Sequence, residues 1–98
     1  MDDDQMIELL TKAREYFREH GGAKGDYEVD GKVCALGAVQ AAVTSFVECE
    51  EVISRALTPT CLRLHDASIA TVNDKADDPM SVILDLYDAT IKDLENGR

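Results

Sequence analysis

Four side chains occur in an order that some cysteine hydrolases use: Cys34, then His65, then Asn73 or Asp74. In such an enzyme a thiolate attacks, a neighbouring imidazole holds its proton, and a third group orients the ring. If Cys34 lies in the first turn of a helix, the helix dipole would also favour its thiolate. Two features weigh against that chemistry. Cys34 belongs to the most apolar stretch of the chain, where a cysteine behaves as a small buried hydrophobe. The spacing of the group is no signature, and order alone arises easily by chance. The expectation is a protein without catalysis, with a Cys34-dependent hydrolase kept as an alternative.

No metal or cofactor is expected. His20, His65 and the cysteines form neither Cys-x-x-Cys nor His-Glu-x-x-His, the spacings that put ligands on one ion. Asn73 to Asp78 are rich in oxygen ligands, but the glycine and closing glutamate of a calcium loop are missing. A turn followed by a capped helix accounts for those acids. The glycines of residues 21–25 match neither phosphate-binding fingerprint, so the segment reads as a connector.

The elements that must position these groups are helical. Asp30 to about Ser45 reads as a central, mostly buried helix, because it carries almost no charge and is rich in small residues. Asp30 would cap it, with Val29 and Cys34 as a hydrophobic staple. Gly37 and Ala38 would let another helix approach closely. Before it, Met6, Ile7, Leu10, Ala13 and Phe17 recur at helical spacing over about 4–20, and Gly21-Gly22 ends that helix. Residues 21–30 read as a loop, with room for an extended piece at Tyr27 to Val29. A short helix through Val52, Ile53, Ala56 and Leu57 would stop at Thr58-Pro59, and another would run over about 59–67. Ile69 to Val72 reads as an apolar connection closed by an Asn73-Asp74 turn. Asp78 as cap and Pro79 in the first turn begin the last helix, whose stripe is Met80, Ile83, Leu84, Tyr87, Ile91 and Leu94. The fold expected is all-α: one domain over residues 1–98, four to five helices in an orthogonal or bundle-like array.

Composition narrows the partners. Of 98 residues, 20 are acidic and 10 basic, a formal charge of -10. That charge disfavours direct nucleic-acid binding, which needs cations to displace counterions, and equally an anionic membrane surface. It suits solubility, a basic partner, or mimicry of DNA. Three cysteines without paired spacing and a Met-Asp-Asp-Asp start give neither a disulfide framework nor a basic leader. A cytoplasmic chain with reduced thiols is the expectation.

Two segments carry a family resemblance. Val33-Cys34-Ala35-Leu36-Gly37-Ala38-Val39 resembles a Cys-x-x-Gly-Ala-hydrophobic motif usually preceded by Trp. Ile69 to Asp74, followed by Ser81-Val82-Ile83 and Ala89, resembles a Trp-Asn-Asp motif leading into a C-terminal helix. Both are found in a family of small proteins of unknown function from actinobacteria and their phages. The resemblance spans about residues 5–92, and this chain departs by carrying Val33 and Val72 where tryptophan is usual. It implies a helical architecture and structural importance for Cys34, Gly37, Ala38, Asn73 and Asp74. Origin alone implies a host protein as partner and, for a phage protein, the host cytoplasm as location.

The leading functional reading is therefore a protein-interaction module, with a homodimer as a further arrangement. Tyr16, Phe17, Phe46 and Tyr87 are its candidate interface anchors, since aromatics concentrate binding energy. An acidic decoy that mimics DNA and occupies a basic host protein stands as the alternative.

Overall fold

The first helix, α1 (Asp3–His20), begins where the Asp2 carboxylate accepts from the Gln5 N–H at 2.8 Å and the Gln5 side chain accepts from the Asp2 N–H at 3.1 Å. This reciprocal cap satisfies donors that no helix can satisfy internally. Met6, Leu10, Ala13 and Phe17, at spacings of four, three and four, form its buried stripe. Each of the large ones stabilises the fold by roughly 1.5–3 kcal/mol through burial. The helix stops at Gly21, whose N–H reaches the Phe17 carbonyl, and Gly22 follows at φ +115°. A Cβ on Gly21 would lie 2.4 Å from the Phe17 carbonyl oxygen, so close approach demands glycine there.

The computed structural model describes residues 2–22, 28–29 and 31–97. A small antiparallel hairpin pairs β1 (Glu28–Val29) with β2 (Lys32–Val33), and Val33 also bridges to Gly21. This pairing corrects the expected start of the central helix. Lys32 and Val33 are extended by their ladder partners, and Cys34 (φ -85°, ψ 178°) is the N-cap. Helix α2 (Ala35–Ala42) thus starts five residues after Asp30. The Asp30 cap itself falls outside the described residues, as does Tyr27. The part of the helix beyond its cap is as apolar as expected: Ala35, Gly37, Ala38 and Val39 are all buried.

Ser45 caps α3 (Phe46–Glu51), accepting from the Glu48 N–H at 3.2 Å. The backbone then stays helical through a π segment (Val52–Leu57) and α4 (Thr58–His65). The stop expected at Thr58-Pro59 is absent, for a physical reason. Proline clashes with the carbonyl four residues back in an α-helix. Here the Thr58 N–H bonds the Ile53 carbonyl five residues back, and this wider ladder accommodates the ring. Helix α4 ends at Asp66, which adopts a left-handed conformation at φ +51°, one that Asp tolerates better than most residues.

A third correction concerns Ile69 to Asp74. This is α5 (Ile69–Lys75), capped by Ser68, whose hydroxyl accepts from the Thr71 N–H at 3.2 Å. Helix α6 (Pro79–Glu95) starts as expected, with Asp78 accepting from the Ser81 N–H and Pro79 in the first turn.

Because α3, the π segment and α4 run on without a break, the described residues form five helical rods around one core, an all-α fold. Helix α1 packs chiefly against α2 and α6. Arg14 ties α1 to α6 through Asp88 (2.6 Å), and Arg63 with Thr60 ties α4 to α6 through Asp93 (2.7 and 2.8 Å). No helix among the described residues is long and apolar enough to cross a membrane.

Candidate functional site

The two motifs of the sequence meet at the start of α2. A helix leaves its first N–H groups without internal partners. Here Asn73, 1% exposed on α5, accepts from the Ala35 N–H at 3.1 Å. The Cys34 sulfur accepts from the Gly37 N–H at 3.4 Å, filling the place usually held by Ser, Thr, Asp or Asn. From the other side, the buried Tyr87 hydroxyl of α6 donates to the Ala35 carbonyl. One alanine thus has its N–H and its C=O held by side chains from two different helices. Burial pushes the Tyr87 phenol far above the usual range, and the nearby Cys34 and Cys49 thiols add to this. The neutral, donating hydroxyl is the form this environment selects.

This arrangement is a staple. The polar atoms of Asn73 and Cys34 that a hydrolase would use are turned to the backbone of α2. His65 stands exposed at the last position of α4, and the buried Cys34 sulfur already serves as a cap. Asp74 is exposed beside Asn73 and accepts from the Asn73 amide at 3.4 Å. Gly37 and Ala38 are buried in α2, which with α6 forms the main packing surface for α1. Cys49 and Cys61 are also buried and reduced, and burial raises both thiols; Glu50 adds to the effect at Cys49. Among the described residues, no group of three or more His, Cys, Asp or Glu could hold a metal ion.

The interface candidates separate sharply. Phe17 (0% exposed) and Tyr87 (1%) belong to the core, 6.2 Å apart between ring centroids, and offer no surface to a partner. Their positions on amphipathic stripes are core positions, which corrects their place among the anchors. Tyr16 is half-buried and packs its ring on His20. Phe46 is 74% exposed, and Val47 beside it is 67% exposed.

Phe46, which Val47 follows in the chain, lines an open groove of about 250 Å³ at the other end of α2, together with Gln40, Val43, Thr44, Ser45 and Cys49. Its rim is held in shape by Glu48. That carboxylate accepts from both the hydroxyl and the N–H of Thr44, and these bonds hold its pKa below the usual range. Val47 and the groove escaped the sequence reading, although a signal was present. Ser45-Phe46-Val47-Glu48 has the Ser-x-x-Glu form of a helix start. It puts Phe46 and Val47 in a first turn.

No curated protein and no solved structure matches the chain. Residues 1–93 match the family described as "Family of unknown function (DUF6197)", and with nearly its whole length matched, the chain belongs to that family.

Proposed function

We propose that this protein is an interaction module that binds a partner protein through Phe46 and Val47, without catalysis of its own. The observation that carries the reading is the exposure of these two adjacent large apolar side chains, the first of which lines a groove. Their neighbours in chain order are fixed by the Ser45 cap and the Thr44–Glu48 bonds, so the surface is organised before a partner arrives. Preorganisation of this kind lowers the entropic cost of binding. An actinobacterial or phage origin, which the resemblance of the motifs suggests, would make the partner a host protein and the cytoplasm the place of action.

The decoy reading has less support. Several carboxylates are already committed to cations, in the pairs Asp88–Arg14, Asp93–Arg63, Glu8–Lys12 and Glu15–Arg18. The hydrolase reading has less support as well, because the Cys34 sulfur is engaged as the cap of α2 and His65 is exposed.

The test is a paired capture with tagged wild type and a Phe46→Ser/Val47→Ser variant whose helical content and unfolding midpoint are shown to be unchanged. Affinity for the captured partner should fall about tenfold or more in the variant, as for a hot-spot pair. Equal capture by both proteins, or none by either, would reject the proposal.

A further inference from the structure

The groove sits in an unusually one-signed part of the chain. From Val33 to Ser54 there is no Lys or Arg, while Glu48, Glu50 and Glu51 all fall within this span. The last turn of α2, which supplies Gln40 and leads into Val43, carries no basic residue to offset the negative end of its dipole. The positive end of α3 is already countered by Glu48, which lies in its first turn. Glu50 is exposed, and Glu51 faces Arg55 at 3.5 Å. The groove lining thus holds no basic residue, and the Glu48 carboxylate sits on one of its lining residues, Thr44.

A second copy of this chain fits such a surface poorly. It would bring Glu48 and Glu50 against their own copies and add to the repulsion of two chains at -10 each. Two exposed apolar residues are also far less than a stable symmetric dimer needs to bury. A cationic segment fits on both counts, since its charges would meet the rim while its apolar residue filled the groove.

We infer that the groove between the end of α2 and the start of α3 takes a short segment of a partner protein with one large apolar residue flanked by Lys or Arg. This rests on the interaction-module reading and adds the chemistry of the partner. An apolar anchor in the groove supplies the residence time, and the basic flanks supply approach and orientation in the field of Glu48 and Glu50.

The experiment is selection of a displayed library of random short peptides on the immobilised full-length protein, with the Phe46→Ser/Val47→Ser variant as counter-selection. Peptides that depend on Phe46 and Val47 should be enriched in an aromatic or aliphatic residue next to Lys or Arg. A synthetic peptide of that pattern should bind several-fold more weakly to Glu50→Lys and more weakly in high salt. Enriched apolar peptides with no basic bias, or a Glu50→Lys variant that binds as well as wild type, would overturn the basic-segment inference while leaving the interaction module standing. If only self-association is seen, as a concentration-dependent dimer lost in the Phe46→Ser/Val47→Ser variant, the occupant is a second copy and the inference fails. No peptide dependent on Phe46 and Val47, with no dimer, would remove both readings.

Discussion

The two ends of α2 are finished in opposite ways. At its start, polar atoms from Cys34, Asn73 and Tyr87 converge on the backbone and are hidden from water. Past its end, Phe46 and Val47 stand in solvent while Thr44, Ser45 and Glu48 bond one another behind them. One end puts polar groups inside and satisfies them; the other puts apolar groups outside. A buried hydrogen-bonded cluster earns its keep through the fold, because any loss strands a desolvated partner. An exposed apolar pair contributes little to the fold.

The largest effect that would sharpen this contrast is expected for Asn73→Ala. It strands the Ala35 N–H and opens a cavity, at a cost of about 3 kcal/mol, read as a lower midpoint in urea unfolding. A loss below ~1 kcal/mol would mean that water replaces the amide and that the staple is dispensable.

Tyr87→Phe keeps the ring and removes one hydroxyl, so about 1–2 kcal/mol should be lost near neutral pH. The same residue predicts a pH dependence. The folded pKa is raised, so the neutral phenol's contribution is complete below the unfolded value of about 10 and is lost as pH rises above it. Cys49 and Cys61, also raised, act in the same direction from about pH 9. Wild-type stability should therefore fall in alkali, and the fall should be shallower in Tyr87→Phe. Parallel curves for the two proteins would show that this phenol does not titrate with unfolding.

A smaller effect is expected at the cap. Cys34→Ala should cost about 1 kcal/mol, and Cys34→Ser should recover most of it, because a hydroxyl is the better cap acceptor. If serine proves no better than alanine, the sulfur's role is packing alone. The smallest effect belongs to the other end: Phe46→Ser and Val47→Ser should each change stability by less than about 0.5 kcal/mol. A larger loss would mean that the pair supports the fold, and the contrast between the two ends would collapse.

What the sequence made legible follows where local chemistry agrees with the final packing. In α1 and α6, periodic stripes and caps point to the same boundaries, and Asp78-Pro79 starts its helix as read. The start of α2 was obscured because Val33 reads equally well as helix or strand, and its pairing with Glu28 and Gly21 is a tertiary matter. Cysteine is also not a residue one reads as a cap. Helix α5, at seven residues, is too short to show a period, and Pro59 hides a continuous helix because the stop rule assumes α geometry. At the site, Cys34 and Asn73 could be singled out by motif but not joined. Phe17, Phe46 and Tyr87 are alike as aromatic residues on helices. The stripes of α1 and α6 already marked Phe17 and Tyr87 as core-facing, and the packing shows that these two fill the core while Phe46 faces water.

The three reduced thiols give the molecule a way to report its own breathing. Cys34 marks the junction of β2 and α2, Cys49 the start of the long helical run, and Cys61 its continuation beyond the π turn. Each is buried to a different degree, Cys61 fully and Cys49 in the lining of the groove, so the three labelling rates compare how readily three regions of the unaltered chain open to a thiol reagent. Three natural clocks, set at different depths of one small core, would show which rod lets go first.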